Sequence, residues 1–564
     1  MNQHTMKYTI ILLLFLTLVS CKKQEYDVVI RGGTVYDGSG KPGVVSDVAI
    51  NADTVAFIGD LSKAMGKMEV NAKGLAVAPG FINMMSHAEN SLLLDGNSQS
   101  DIRQGITLEV LGEGSMGPLS DKMKKDYRDQ MKRNPDRKFD IDWTTLGEYL
   151  ESLERRTISP NVASFVGAST VRIHELEYEN RAPKPEELGR MKELIRVAME
   201  EGAMGTTCAL IYAPDNYATT EELIELSKVA ASYGGMYISH MRSEGNAILK
   251  AVDETIRIAR EANMPAEIYH LKMGGKQNWG KLDSVIAKIE KANKEGLHIT
   301  ADMYNYTAGA TGLDATMPPW VQEGGINEWI KRLKNPTIRK KVLAEMRTPS
   351  DKWENLLLNA GTPEGVLLLG FTNDSLKRYT GKTLGEVAKI YGKTPEETAM
   401  DLVIADSTRV ETAYFLMSED NIKRQIALPF VSFGSDAGSP TAAGMFLKYK
   451  DHPRAYGNFS RLLGKYVRDE KVISLEEAIR RLTSLPAGNL KIKRRGALTP
   501  GFFADVVVFD PMTIQDHATF ENPHQYSTGM VHVFVNGAQV IKEGKHTGVR
   551  PGRIVRGPGW KEKH

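Results

Sequence analysis

Cysteine is nearly absent from this chain: Cys21 and Cys208 are the only two in 564 residues. A disulfide framework is therefore not what holds it together. An excess of charge of one sign is also missing. Lys and Arg number 72 against 70 Asp and Glu, a net charge of +2. That balance gives no electrostatic reason to expect a nucleic-acid partner. Histidine is sparse, twelve in all, so any histidine cluster must be assembled by the fold. Internal repeats and low-complexity segments are lacking too. The long apolar run is confined to the N-terminus, from Tyr8 to Val19 after Lys7. It is too short for a comfortable membrane span and fits the apolar core of a signal peptide.

That run ends in "LVSC", the pattern of a bacterial lipoprotein cleavage box. The expectation is a signal peptide over residues 1–20 and a lipidated Cys21 as mature N-terminus. The product is an exported lipoprotein, anchored by its lipid in the periplasm or outer membrane. Lys22 follows, so the aspartate that retains lipoproteins in the inner membrane is not there. Cys208 then has no partner and reads as a small buried hydrophobe.

What remains is an ordinary globular composition, 41% hydrophobic and 25% charged, and long enough for more than one domain. Short β-branched runs with Gly, Asp and Asn turns open the mature chain ("YDVVIRGGTVYDGSG", "SDVAINADTVAFIGD") and close it ("ADVVVFDP", "VHVFVNGAQVIKEGK"). They suggest one β-sandwich domain built from both ends, over residues 21–78 and 490–564. Between them, over 79–489, apolar runs alternate with amphipathic helical patterns. The candidate strands are "LAVAPGFI", "ITLEVLG", "NVASFVGA", "GTTCALIY", "MYISH", "AEIYH", "HITADMY" and "FVSFGSD". Doubly wound sheets share this alternation; a count of eight favours an α/β (β/α)₈ TIM-like barrel. The stretch from about 307 to 426 is too long for a crossover and reads as an inserted lid subdomain.

Barrel enzymes carry their chemistry at the C-terminal ends of the strands. His240 ends "MYISH" and His270 ends "AEIYH", and adjacent strands lie about 5 Å apart. Two imidazoles at one rim suit zinc, with a carboxylate and an open position for water. Asp436 in "FGSDAGSP" is placed to take a proton from water. Glu113, just past the second strand, is a further candidate ligand.

Here the chain resembles a known family. From "VVIRGGTVYDGSG" through "APGFI", "IRQGIT", "GAMGTTCALIYAP", "YISHMRSEG", "HLKMGGK", "ADMYNYTAG", "FGSDAG" and "HPRAYGNFSRLLGKYV" to "RGALTPGFFADVVVFDP", it resembles the N-acyl-D-amino-acid deacylases (D-aminoacylases) of the amidohydrolase superfamily. The resemblance implies a β-sandwich, a metal-bearing barrel with a lid, and hydrolysis of an amide on a D-amino acid. By position it makes His240 and His270 zinc ligands and Asp436 the general base and acid. It sets Lys272 and Tyr304 or Tyr306 where the family holds the carboxylate of its small-molecule substrate.

The departures are specific. The family has His-x-His after "PGFI"; this chain has Met85, Ser86 and His87. The family's cysteine ligand falls at Gly114 or Ser115, with Glu113 the available substitute. A Gly-His pair becomes Gly167 and Ala168. Glu113, His240 and His270 then make one zinc site, and His87 with Asp436 would be too few ligands for a second ion. Two other readings stand beside the deacylase: a cyclic-amide hydrolase or D-dipeptidase on the same scaffold, and a lipid-anchored binding protein without catalysis.

Overall fold

The computed structural model describes residues 24–134 and 137–562. The expected signal peptide and the expected lipidation site at Cys21 lie outside the described residues. Among the described residues no helix is long and apolar enough to cross a membrane.

Strands from both chain ends meet in one nine-stranded mixed sheet. Glu25–Val35 pairs with Val44–Asn51, Met65–Asn71 and Ala76–Pro79. Ala76–Pro79 pairs antiparallel with Val506–Phe509, more than four hundred residues later. Val28, Ile30, Val48, Ile50, Val506 and Phe534 share its buried core.

The central region is an α/β fold consistent with a TIM-barrel-like domain. Its parallel strands are β1 (Phe81–Ser86), β2 (Ile106–Leu111), β3 (Asn161–Ser164), β4 (Gly205–Ala209), β5 (Met236–His240), β6 (Ala266–Ile268), β7 (Ile299–Met303) and β8 (Val431–Phe433). β1, β2 and β3 pair in that order, as do β4 through β8. Just past β3, Val166–Gly167 pairs with β4 and joins the two sets. A bridge between Ser86 and Ala437 joins the end of β1 to the segment after β8. Every residue of β5 is buried, as expected of parallel strands covered on both faces. Helix Ile248–Ala262 shows how they are covered: Ile248, Ala251, Val252, Thr255, Ile258, Ala259 and Ala262 recur at three- and four-residue spacing and are buried.

One expected strand divides in two. "LAVAPGFI" supplies Ala76–Pro79 to the sheet of chain ends and the start of β1 to the central region. Gly80 is the joint. A Cβ there would lie 2.0–2.7 Å from the Thr107 side chain, so only glycine lets the chain change sheets at that point. Between β7 and β8 the chain builds a separate unit with a three-stranded antiparallel sheet of Ala308–Gly312, Val366–Gly370 and Glu411–Phe415. Its own core includes Trp329, Leu333, Val366, Leu368, Met400 and Tyr414.

Candidate metal centre

β5 delivers His240 and β6 runs into His270, and their rings meet edge-on with centroids 4.4 Å apart. Glu113 arrives from the end of β2 between them. Its Oε1 lies 2.9 Å from His240 Nδ1 and 3.0 Å from His270 Nε2. An ionised carboxylate only accepts hydrogen bonds, so without a metal both ring nitrogens donate to it. His87 Nε2 stands 3.6 Å from the other Glu113 oxygen and 3.2 Å from Asp436 Oδ1. Two backbone bonds set that last pair: His87 N–H donates to Ala437 and Asp436 N–H to Met85.

Three of these residues have left-handed backbones: Glu113 at φ 63°, His270 at 34° and Asp436 at 49°. Non-glycine residues rarely sit there, and such strain collects where a side chain must be aimed. Local bonds hold it in place. Glu113 N–H donates to Thr207 Oγ1 at 3.0 Å, and His270 N–H to Asp302 at 2.8 Å.

The donor set fits zinc. One ligand atom each from Glu113, His240 and His270 lie within 4.8 Å of one another. Two imidazoles and a carboxylate leave a fourth position open, the pattern of a catalytic site. His240 Nε2 is buried and has no hydrogen-bond partner among the described residues. His87, Glu113 and Asp436 satisfy the same distance criterion. Counting only His87 and Asp436 for a second ion thus overlooks Glu113, which faces both groups. Met85 is fully buried in a cluster with Ile82, Val110 and Phe165, so a core thioether stands at that position. Ser115 turns away: its Oγ donates to Gly117 and accepts from Gly167 N–H. Cys208 is buried on β4 against Tyr237 and Ser239.

Behind the histidines lies a carboxylate that the spacing did not reveal. Glu244 Oε1 is 2.9 Å from His270 Nδ1 and 2.7 Å from Lys272 Nζ, and Oε2 is 3.4 Å from His240 Nε2. Glu244 follows His240 by four residues in "YISHMRSEG", which is the signal that could have found it. Lys272 is buried and lines the cavity with its ammonium engaged by Glu244. The two candidate tyrosines separate. Tyr304 lines the cavity and its buried hydroxyl lacks a partner among the described residues. Tyr306 does not: its hydroxyl reaches Pro453 O at 3.4 Å and Asp516 at 3.5 Å. The strand ends at Met303, and Asn458 grips the backbone N–H of Asn305 at 2.9 Å, so two-residue alternation no longer applies.

Two arginines complete the lining of a cavity of about 260 Å³. Arg454, from "HPRAYG", lies over the Tyr304 ring at 4.6 Å, and its Nη1 is 2.6 Å from Asp436 Oδ2. Arg454 Nε has no hydrogen-bond partner among the described residues. Arg409, from the inserted unit, lies over the Tyr212 ring at 4.8 Å. Tyr212 in turn packs on His240 at 5.3 Å, and Tyr304 on His270 at 6.3 Å. Arg409, Tyr212, His240, His270, Tyr304 and Arg454 therefore follow one another around the cavity wall, and its two ends meet neighbouring residues: Arg454 Nη2 reaches Ala310 O at 3.5 Å and Arg409 Nη2 reaches Thr311 Oγ1 at 3.1 Å.

Paired strand-end histidines, an acidic residue between them and an aspartate after the last strand define the class of metal-dependent hydrolases. The chain belongs to the amidohydrolase family, whose model matches residues 68–541. It is a hydrolase of amide bonds. It is 34% identical to the D-aminoacylase of Alcaligenes xylosoxydans xylosoxydans over 94% of this chain and 98% of that one. A solved D-aminoacylase, described as having a binuclear metal centre, superposes with a TM-score of 0.77 at 31% identity, covering 94% of this chain and all of that one. The N-acyl-D-glutamate deacylase of Bordetella bronchiseptica, solved with zinc and a phosphonate inhibitor, superposes at 0.76 with 27% identity and the same coverage.

Protonation of the site sets how metal enters. Burial opposes charge on His270, as does Lys272, but Glu244, Asp436 and Glu113 outweigh both and push its pKa up to about 10. Burial likewise opposes charge on His87, and Asp436 and Glu113 push it up to about 9. Burial works against ionised Glu113, yet the hydrogen bonds from His240 and His270 hold its pKa well below the usual value. Zinc takes neutral imidazole, so an ion binding here would have to expel the proton that His270 carries below that pKa. Glu113 is already ionised and contributes no opposing step. Zinc affinity of the metal-free protein is expected to rise roughly tenfold per pH unit between about pH 6 and 8. Chelator-competition titrations measure this, and a flat profile would contradict a protonated His270.

Proposed function

We propose that this protein is a zinc-dependent N-acyl-D-amino-acid deacylase that works with one ion. The observation that carries the reading is the convergence of Glu113, His240 and His270 on one point with Asp436 across the cavity. The eight parallel strands are read as a closed (β/α)₈ barrel, the sheet of chain ends as the sandwich, and the inserted unit as a lid.

Glu113, His240 and His270 would hold the zinc. When bound there, zinc supplies Lewis acidity, polarising a carbonyl oxygen and easing loss of a proton from water. Asp436 accepts that proton through its carboxylate as the water oxygen attacks the amide carbon. It returns the proton to the amide nitrogen as the C–N bond breaks, giving a carboxylate and a free amino acid. Arg454, supported by Tyr304, holds the substrate's α-carboxylate through Nε, the guanidinium nitrogen that neither Asp436 nor Ala310 engages. Lys272 adds positive charge to the same wall while Glu244 keeps it in place. With the carboxylate fixed at one end and the carbonyl at the other, the side chains of the two enantiomers point to different walls, and that third contact is where the cavity distinguishes the two hands of the amino acid. A second ion on His87, Glu113 and Asp436 would occupy the proton acceptor and slow the reaction.

The purified, zinc-loaded protein tests this against N-acetyl-D-amino acids, their L-enantiomers, cyclic imides and D-dipeptides. Hydrolysis of the N-acetyl-D compounds, with a D over L preference above about 100-fold, is the expected result. Turnover of cyclic imides or D-dipeptides alone would replace the reading with its rivals. Inactivity on all four, with no zinc retained, would favour the binding protein.

A further inference from the structure

The cavity wall carries two arginines, and the deacylase reading uses only one. An amide is planar and trans, so its two flanking carbons leave in opposite directions from the C–N bond. With the α-carboxylate at Arg454 and the scissile carbonyl over His240 and His270, an acyl group turned towards Tyr212, which packs on His240, meets Arg409.

Arg409 is fixed as a receptor would be. Its Nε sits 3.0 Å from both oxygens of Asp314, itself almost fully buried, and Nη2 donates to Thr311 Oγ1 at 3.1 Å. The Tyr212 ring supports one face of the guanidinium. Nη1 has no hydrogen bond within the protein among the described residues, and the side chain, which lines the cavity, is 51% exposed overall. A guanidinium that is positioned in advance and keeps a free edge matches carboxylate geometry and loses little entropy on binding. Gly309 and Ala310 line the cavity beside it and leave room for a chain.

We propose that Arg409 is a specificity-determining residue that recognises an acyl group ending in a carboxylate, so that the preferred substrates are N-acyl-D-amino acids of the succinyl type. The assignment rests on the deacylase reading and adds the acyl class to it. The inserted unit supplies this selectivity, because Arg409, Asp314 and Thr311 all belong to it. No step of the chemistry changes: the released product is a dicarboxylate in place of a monocarboxylate.

The test compares N-acetyl-, N-butyryl- and N-succinyl derivatives of one D-amino acid on the zinc-loaded enzyme. Succinyl and butyryl differ chiefly in the terminal carboxylate. The parent enzyme is expected to favour N-succinyl over N-butyryl by about tenfold or more in kcat/KM, mainly through KM. Arg409→Met is expected to bring that ratio close to one. Arg409→Lys, which keeps the charge without the fork, is expected to fall between. Zinc content and thermal unfolding of each variant report whether it is folded. Absence of a succinyl preference in the parent, or its persistence in Arg409→Met, overturns the proposal. If the parent hydrolyses none of the three, the deacylase reading itself fails, which is a different outcome from hydrolysis without preference.

Discussion

Replacing Asp436 with asparagine is expected to lower kcat by about 10²–10⁴-fold while zinc content stays near that of the parent protein. The prediction separates two roles that the geometry allows. Asp436 Oδ1 stands by His87 at 3.2 Å, and Oδ2 by Arg454 at 2.6 Å. Burial raises its pKa, but Arg454, His270 and His87 together lower it, so the group is a carboxylate at neutral pH and ready to accept a proton. Asparagine keeps the shape and loses that capacity. In the proposed site three other residues would hold the ion, so zinc is expected to stay. Metal analysis alongside steady-state kinetics checks both halves. Loss of zinc together with activity would make Asp436 a ligand first, and an unchanged kcat would remove it from the mechanism.

Glu113→Gln is expected to have the opposite signature. Zinc affinity falls by more than about 100-fold, because losing even an outer-shell partner costs a metal site up to that much. Activity falls at limiting zinc and recovers in part when zinc is added in excess. The amide also removes the charge that accepts from His240 Nδ1 and His270 Nε2. The pKa of His270 therefore drops, and zinc affinity becomes less dependent on pH near neutrality. A variant that retains zinc as tightly as the parent would show that the carboxylate is not a ligand. The two histidines would then have to share the ion with some other group.

The sequence exposes some of this site and hides the rest for physical reasons. His240 and His270 are legible because a short apolar strand buries everything before its last residue and sets that residue on the rim. Asp436 is legible in the same way. Glu113 stands out only after a cysteine is found missing beside it. That its two oxygens face two different ligand groups depends on a left-handed backbone, which no spacing announces. Tyr304 and Tyr306 look equivalent by alternation, yet the strand has already ended, and Asn458 turns the backbone between them. Arg454 sits in a motif whose order was visible and whose direction was not. Arg409 is the furthest from view, since it meets Tyr212 only because the inserted unit folds back over the rim. The sheet of chain ends was suggested by composition, but the division of "LAVAPGFI" at Gly80 needed the clash with Thr107 to become evident.

Pairing the strand before Gly80 with Val506–Phe509 also orders events in time. A ribosome adds about 5–20 residues per second, so Ala76–Pro79 waits roughly 20–90 s after its own synthesis for that neighbour. Through that interval the N-terminal strands present unpaired backbone and apolar Val and Ile side chains, the features that invite pairing with other chains. The last strands thus act as a completion signal. A chain that stops before Val506 contains Glu113, His240, His270 and Asp436 but leaves the Ala76–Pro79 edge without its neighbour, so yield on synthesis is expected to depend on a segment far from the chemistry.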